Sequence, residues 1–482
     1  MEKNRTDYDA VIVGAGPNGL SAAILLRQYG LSVLLLEAKD KIGGGLATES
    51  LTLPGFLHDV ASAVHPMAAA SPYLQTLPLN EYGLEFINPD IHIAHPFENG
   101  SAAFVNSSLT ETAHQFGIDE DIYLDLVGSV VEKWPKIGNG LLGPLRMTSH
   151  LFDLARFGRN ALLPVSLLAR RFHSSKARGL LAGVATHNFQ PLENLATSAI
   201  PLVMLANAHL KGWPVVKGGS AKLAEALGNY FLSIGGQIEI GFTLSDLALL
   251  PPAKAVLFDL TPAQILSLKN NRFSGFYRWQ LRRYRYGPAV YKIDWALENP
   301  IPFTAPECRR AGTVHLGNTF EEIAAGEKCI AAGKENDNPF VLLSQPSLFD
   351  ISRSPAGKHT AYAYCHVPNG SVQNMAARIE NQVERFAPGF KKSIIGTHTM
   401  NTADLENFNP NLVGGDINSG RISIDQLFTR PAFRFPPYNT SVKGWYVCSA
   451  ATPPGGGVHG MCGYHAARTA LREVFGVKIS GH

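Results

Sequence analysis

The sequence has few cysteines, little net charge and no long apolar run, and each absence excludes a class of protein. Its five cysteines include no CxxC pair. This excludes a dithiol reductase and indicates a reducing compartment, where thiols pack as small apolar groups. The formal net charge of +3 is too small to indicate a nucleic-acid partner. Because no uninterrupted run of about eighteen apolar residues occurs, we expect no membrane-spanning segment.

The amino terminus and the composition place the chain among globular proteins. MEKNRTDY, residues 1–8, mixes acids and bases without an apolar core, so we expect no signal or transit peptide and a cytoplasmic location. A chain of 482 residues is longer than one core usually fills, which predicts about two or three domains. We find no cluster of residues with metal-ligand spacing and expect no metal.

A glycine-rich turn lies between two apolar runs in DAVIVGAGPNGLSAAILLRQYGLSVLLLEA, residues 9–38. Gly14, Gly16 and Gly19 follow a β-branched run and lead into a helical pattern, and a second strand-like run ends on Glu37. In such a βαβ unit the glycines allow the turn, the approach of a pyrophosphate and close packing of helix on strand. Free N–H groups at the helix start favour the phosphates. A carboxylate at position 37 accepts hydrogen bonds from a ribose diol, which predicts FAD or NAD rather than NADP. The alternative is an ordinary glycine-rich turn.

Two further glycine-rich segments favour FAD over NAD. KDKIGGGLATES, residues 39–50, contains a second glycine turn for which a nicotinamide dehydrogenase has no general need. GWYVCSAATPPGGGVHGMCGYHAARTALREVFG, residues 444–476, reads as a strand, a loop of small residues and a helix from about 459 to 474. The positive end of that helix suits the negative charge of a reduced flavin. A surface Pro-Gly linker before a terminal helix is the alternative.

These segments, in this order, resemble the phytoene desaturase-like FAD-dependent oxidoreductases, and in particular the bacterial branch resembling pyridine nucleotide-disulfide oxidoreductase domain-containing protein 2. The resemblance covers essentially the whole chain. Further segments that match are LPGFLHDVASAVHP (53–66), GWPVVKGGSAKLAEAL (212–227), GGDINSG (414–420) and PPGGGVHGMCG (453–463). Two departures stand out: Gly44 and Gly45 replace the usual arginine of the second glycine motif, and Ser449 replaces a common glycine.

The resemblance implies the fold and the cofactor contacts. The fold class is α/β, with a Rossmann-like FAD-binding domain on the amine-oxidase-like plan, assembled from discontinuous segments, and a mixed α+β substrate domain with a helical cap. The implied FAD-binding residues are Gly14, Gly16, Pro17, Asn18, Gly19, Glu37, Ala38, Gly43, Gly44, Gly45, Leu46, Ala47, Thr48, Leu244, Ser449, Ala450, Gly456, Gly457, Val458 and His459.

The same plan predicts the domain boundaries. The FAD-binding parts are residues 1–67, 212–272 and 420–482, the substrate domain and its helical cap are residues 68–211, and a substrate-domain antiparallel sheet occupies residues 273–419. Alternating runs such as AVYKIDWAL (289–297) and TAYAYCHV (360–367) predict strands of that sheet. We expect the substrate between this sheet and the flavin.

The predicted activity is dehydrogenation or desaturation of a lipophilic, polyene or isoprenoid-type substrate, with hydride transfer to flavin N5. The sequence has no second strand-GxGxxG-helix unit, so we expect electrons to leave the flavin to oxygen or a quinone rather than to a resident nicotinamide. Two alternatives stay open. One is a flavin-dependent isomerase without net redox change, and the other is a non-catalytic FAD-bearing interaction protein.

Residues 141–180 combine basic and apolar side chains at helical spacing, which predicts either a membrane-surface contact or an ordinary cap helix with solvated arginines. The basic residues are Arg146, Arg156, Arg159, Arg170, Arg171, Lys176 and Arg178, against the single acid Asp153. The apolar residues between them include Leu145, Phe152 and Phe157.

Five polar residues are the candidate acids or bases, because an imidazole titrates near neutral pH. His58, Asp59 and His65 lie in the segment that borders the flavin in the family. His459 begins the last helix and either reaches the flavin or caps the helix, and His366 points from the predicted sheet. A structural hydrogen bond is the alternative role for each of them.

Overall fold

The computed structural model describes residues 7–144, 150–427 and 429–477. Leu145 and Arg146 of the basic stretch lie outside the described residues. So do the ends of the first and last predicted FAD-binding parts, residues 1–6 and 478–482.

The described chain contains sixteen strands and seventeen α-helices. The strands are β1 Tyr8–Val13, β2 Val33–Leu36, β3 Thr48–Glu49, β4 His58–Asp59, β5 Phe86–Ile87, β6 Ile91–Pro96, β7 Ala102–Val105, β8 Val215–Val216, β9 Gln237–Glu239, β10 Ala253–Phe258, β11 Ala289–Leu297, β12 Ala311–Leu316, β13 Val341–Ser344, β14 His359–Val367, β15 Ile394–Met400 and β16 Trp445–Val447. The α-helices are α1 Pro17–Gln28, α2 Pro66–Ala69, α3 Leu109–His114, α4 Glu120–Tyr123, α5 Ser129–Leu141, α6 Leu151–Ala161, α7 Val165–Ala169, α8 Ser175–Ala185, α9 Ala199–Lys211, α10 Ala221–Ser233, α11 Pro262–Ser267, α12 Gly275–Arg282, α13 Phe320–Ala331, α14 Ala376–Phe386, α15 Thr402–Phe408, α16 Ile424–Leu427 and α17 Met461–Glu473.

A parallel sheet with the strand order β16-β10-β1-β2-β9 gathers distant parts of the chain. β1 and β2 come from the first predicted FAD-binding part, β9 and β10 from the second and β16 from the third. The four residues of β2 are all buried, as expected of a parallel strand covered on both faces. The carboxyl ends of these strands therefore meet at one edge, where open α/β sheets bind their ligands.

Helices α1 and α17 approach the sheet and each other more closely than side chains would permit. A Cβ at Gly19 would lie 1.9 Å from the Gly14 carbonyl oxygen, and one at Gly463 would lie 1.8 Å from the Asn18 carbonyl oxygen. Both distances are far inside van der Waals contact. Glycine at these positions therefore fixes how the first and last long helices pack.

Within residues 273–419 the strands of the second sheet pair antiparallel, but the sheet as a whole is mixed. Its order is β15-β11-β14-β13-β12-β6-β7. AVYKIDWAL forms β11 and TAYAYCHV lies in β14, and these strands pair antiparallel. However, β6 and β7 come from residues 91–105, and β6 pairs parallel with β12. Sequence spacing cannot reveal such a long-range pairing, because neither strand carries a local signal of its partner.

Helices α3 to α9 form a layer over the mixed sheet and the amino-terminal part of the chain, as the predicted helical cap requires. Their leucines, alanines and aromatic residues belong to the largest buried apolar cluster. Across the described ranges, no helix has both the length and the apolar character needed to cross a bilayer.

A buried guanidinium ties the first predicted FAD-binding part to the connection between β13 and β14 of the mixed sheet. Arg353 is fully buried and pairs with Asp59 of β4. Asp59 also accepts hydrogen bonds from the Ser220 N–H at 2.7 Å and the Thr48 hydroxyl at 2.8 Å. Burial acts to raise the pKa of Asp59, but Arg353 and these donors together hold it below its ordinary value.

Replacing Arg353 should destabilise the protein strongly. Arg353→Met leaves Asp59 buried without its counter-charge, which should lower the free energy of unfolding by about 3–5 kcal/mol and shift the urea midpoint downward. Because the pKa of Asp59 is lowered in the folded state, this contribution is present above its unfolded pKa and is lost as the pH falls. The matched control is Arg310→Met, which removes the exposed Arg310–Asp90 pair. Equal shifts in the two variants would contradict the assignment.

Candidate functional site

A cavity of about 940 Å³ opens at the carboxyl edge of the parallel sheet and extends to the mixed sheet. Its glycine part is lined by Gly14, Ala15, Gly16, Pro17, Asn18, Glu37, Ala38, Lys39, Gly44, Gly45, Thr243, Leu244, Asp259, Ala450, Gly456, Gly457, Val458 and His459. Its apolar part is lined by Leu141, Leu142, Leu154, Phe157, Ala161, Leu162, Phe189, Leu195, Ile200, Val203, Met204 and Leu342. The glycine clusters from the two ends of the chain thus line one cavity.

The turn between β1 and α1 exposes backbone to the cavity. Gly14 has a φ of +101°, in the region that favours glycine. A Cβ at Gly16 would lie 2.9 Å from Asp259 Oδ2, and one at Gly44 would lie 3.1 Å from the Gly16 Cα. The second glycine turn therefore rests directly on the first. A side chain such as arginine at position 44 would disturb this contact.

Glu37 is buried at the end of β2 and orders the same turn. One carboxylate oxygen accepts the Ala15 N–H at 2.8 Å and the other accepts the Lys39 N–H at 3.0 Å. Each oxygen retains acceptor capacity, since an ionised carboxylate offers about four lone-pair sites. Glu37 lines the cavity and so can also receive a ribose hydroxyl.

The carboxyl-terminal loop brings His459 to the cavity wall while its ring caps a helix. His459 Nδ1 accepts the Met461 N–H at 3.0 Å at the start of α17, and residue 459 lines the cavity. The two roles proposed for it are therefore compatible. Burial lowers the pKa of His459 to about 4, which keeps the ring neutral at neutral pH.

Six predicted FAD contacts lie behind the cavity wall. They are Gly19, Gly43, Leu46, Ala47, Thr48 and Ser449, none of which belongs to the cavity lining among the described residues. Their contacts are internal: the Ser449 hydroxyl donates to the Leu260 carbonyl at 2.8 Å, and the Leu46 N–H donates to the Gly43 carbonyl at 2.9 Å. In this structure they shape the turns that line the site.

Two of the five candidate acids and bases, His65 and His459, line the cavity. Both ring nitrogens of His65 are buried without a hydrogen-bond partner among the described residues, and burial lowers its pKa to about 4. His58, Asp59 and His366 do not line the cavity where the chain is described. His58 Nε2 lies 2.8 Å from the Thr52 hydroxyl, and His366 Nδ1 lies 2.8 Å from Glu327 Oε1. These contacts match the alternative role of a structural hydrogen bond rather than a catalytic one.

Four charged residues at the cavity were not among the predicted site residues, namely Lys39, Asp259, Lys292 and Arg430. Asp259 follows the apolar run AVLF as Glu37 follows VLLL, so its position at a strand end was a usable signal. Lys292 is a charge inside the apolar run AVYKIDWAL, which was a second signal. Arg430 has no local signal, yet it is buried and donates to the Ala450 carbonyl at 2.7 Å.

Lys292 brings an ammonium group to the cavity from the mixed sheet. It is buried in β11 and pairs with Asp294 on the same face. Its Nζ lies 4.9 Å from the centre of the Tyr362 ring. Burial lowers the pKa of Lys292, and the Asp294 carboxylate opposes that shift.

The residues of the glycine part fit FAD. The α1 amino terminus has no acid in its own first turn, so its positive dipole end favours phosphates. Asn18 Oδ1 is buried with no hydrogen-bond partner among the described residues. The cavity reaches from Glu37 and Leu244, where an adenosine would lie, to the loop at 456–459. No group of three or more His, Cys, Asp or Glu suited to a metal ion occurs in the described ranges.

The chain is similar to known proteins over nearly its whole length. The model of the NAD(P)-binding Rossmann-like domain matches residues 12–77. A limonene dehydrogenase subunit of Castellaniella defragrans is 30% identical over 97% of this chain and 95% of its own length. Pyridine nucleotide-disulfide oxidoreductase domain-containing protein 2 of Mus musculus is 26% identical, over 98% and 94%. Lycopene-forming phytoene desaturase of a Paracoccus species is 21% identical, over 94% and 95%.

Among solved structures, an oxidoreductase from Methanosarcina mazei superposes with a TM-score of 0.65 at 14% identity, covering 97% of this chain and 100% of its own. The fold and site define an FAD-dependent oxidoreductase with an amine-oxidase-like fold. Within that class, the chain belongs to the phytoene desaturase-like family.

Gly16→Val should abolish FAD binding, because the branched side chain enters the space between the turn and Asp259. We expect colourless purified protein, measured as the ratio of flavin absorbance to protein absorbance. The matched control is Gly275→Val, at an exposed glycine with no atom within 4 Å of the added Cβ. A yellow Gly16→Val protein with full FAD content would rule out the turn between β1 and α1 as part of the FAD-binding site.

Proposed function

We propose that this oxidoreductase dehydrogenates a lipophilic, unsaturated hydrocarbon-type substrate held in the apolar part of the cavity. The observation that carries the proposal is the distribution of charge in the lining. Its two acids, Glu37 and Asp259, both follow strands of the parallel sheet, and the described residues of the apolar part contribute none.

This distribution disfavours an amine as substrate. A cationic amine buried among leucines would need a carboxylate to offset its lost hydration. The cationic side chain that reaches the cavity from β11 is Lys292, which would repel an ammonium group. The names of two relatives, a limonene dehydrogenase and a lycopene-forming phytoene desaturase, support hydrocarbon as the substrate class.

When bound, FAD supplies the acceptor for a hydride. The residues of the chain hold the substrate carbon chain in place and exclude water through side chains such as Leu154, Phe157 and Met204. His65 and His187 line the cavity, and burial lowers their pKa values to about 4 and about 3. Both rings are therefore neutral at neutral pH, and burial makes them weak bases, so they position the substrate rather than bind the proton that it loses.

Anaerobic mixing with substrate tests this proposal. A long-chain polyene or a cyclic terpene should bleach the flavin absorbance and leave it bleached until oxygen or a quinone is added. Putrescine, a diamine, should leave the spectrum unchanged, and Gly16→Val protein serves as the flavin-free blank. Bleaching by putrescine but by no hydrocarbon would overturn the substrate class. Substrate conversion without lasting bleaching would favour the isomerase, and an unperturbed spectrum with every compound would favour the non-catalytic protein.

We also propose that α6 contacts an anionic membrane surface, from which a lipophilic substrate enters. Leu154 and Phe157 of α6 line the cavity, whereas Phe152 on the same helix is 92% exposed. Arg156 and Arg159 are exposed beside it, and the one acid of α6, Asp153, is paired with Lys133 at 3.4 Å. Exposed apolar and basic groups on one helix suit the interface of a bilayer.

Phe152→Asp should weaken binding to phosphatidylglycerol-containing vesicles at low salt, because it replaces an apolar contact with a charge of the same sign as the lipid. Co-sedimentation measures the bound fraction, with neutral vesicles as the lipid control. The matched control is Ile351→Asp, at another apolar residue that is 92% exposed but lies outside residues 141–180. No binding of the unaltered protein to anionic vesicles would remove the proposal.

A further inference from the structure

Asp259 is held rigidly at the centre of the glycine turn. Its N–H donates to the Val13 carbonyl at 2.8 Å, and its carbonyl accepts the Asn411 side-chain N–H at 2.9 Å. These bonds fix the residue between β1 and the loop at 409–411. The side chain therefore has little freedom to leave the turn.

The Asp259 carboxyl group lies where the turn presents its backbone N–H groups. Oδ2 accepts the Gly19 N–H at 3.0 Å and would lie 2.9 Å from a Cβ at Gly16 and 3.2 Å from one at Gly19. Among the described residues, no Lys, Arg or His forms an ion pair with it. Asp259 also lines the cavity, so the group faces the space that the diphosphate of FAD must enter.

The surroundings of Asp259 favour its neutral form. Burial raises its pKa to about 7, and the nearby Glu37 carboxylate contributes, while the Gly19 N–H opposes the shift. From the other elements packed against it, Cys448 and Cys462 face it as thiols whose pKa values burial also raises. Lys39 lines the same cavity and is the titratable cation on the β2 side.

An ionised Asp259 and a diphosphate would place like charges in one buried turn, whereas a protonated carboxyl can donate a hydrogen bond to a phosphate oxygen. We propose that the Asp259 carboxyl group is protonated in the FAD-loaded protein and that its O–H donates a hydrogen bond to the diphosphate. FAD binding then takes up a proton from solvent. The coenzyme should accordingly bind more weakly as the pH rises above neutral.

The test is a titration of flavin-free protein with FAD from pH 6 to pH 9, followed by flavin fluorescence. If FAD binds only to protein in which Asp259 is protonated, the fraction of protein able to bind falls as the pH rises. The dissociation constant of FAD at pH 9 should then be about 100-fold above that at pH 6. Asp259→Asn keeps the shape and remains neutral, so its affinity should vary little over this range and exceed that of the unaltered protein at pH 9. Asp40→Asn, at an exposed neighbouring acid, should retain the full dependence. Lys39 is present in every variant. A difference between variants in how steeply the FAD affinity changes with pH is therefore due to Asp259.

Calorimetry in two buffers of different ionisation enthalpy gives a second readout that needs no variant. At pH 8 the unaltered protein should take up about 0.9 proton per FAD bound, and a correctly folded Asp259→Asn should take up almost none. A flat affinity with no proton uptake would overturn the proposal. Weaker FAD binding by Asp259→Asn at every pH would also overturn it, because it would mean that an ionised carboxylate accepts a hydrogen bond from the coenzyme. Neither measurement involves substrate, so the outcome is independent of the proposed dehydrogenation.

Discussion

The structure depends on close contact between bare backbone segments from opposite ends of the chain. At Gly19 the first helix meets the turn that follows β1, and at Gly463 the last helix meets Asn18 in the first turn of α1. No side chain fits either contact. This packing places the α1 amino terminus at the edge where β1, β2, β10 and β16 end. That alignment brings the glycine clusters from the two ends of the chain together at one cavity.

The cavity has two chemical characters because two different layers line it. The parallel sheet contributes strand ends, backbone N–H groups and the acids Glu37 and Asp259, which suit a ligand rich in hydroxyl groups and phosphates. The helical layer contributes leucines and aromatic rings, and the mixed sheet contributes Lys292 and Tyr362. FAD held by the first set of groups would therefore border the apolar space in which we propose that the substrate binds.

The local patterns of the sequence predicted the parts of the fold that depend on local interactions. The β1-α1-β2 unit was predicted correctly because glycine spacing, helical periodicity and the terminal acid all lie within residues 9–38. The parallel pairing of β6 with β12 was not predicted, because it joins segments more than two hundred residues apart. His58 and Asp59 border the site in sequence, but the direction of a two-residue strand decides what they touch. That direction brings Asp59 to the guanidinium of Arg353. Arg430 acquires its position only from tertiary neighbours, whereas Asp259 follows an apolar strand as Glu37 does.

The contact between α1 and α17 also makes the coenzyme site depend on a helix pair that lies behind it. Residues 461–473 form α17, which supports the turn that begins at Gly14 through the contact of Gly463 with Asn18. The loop at 456–459, which lines the cavity, leads directly into the same helix. A disturbance confined to this helix pair would therefore reach the coenzyme site from a distance, without altering any residue of the cavity wall.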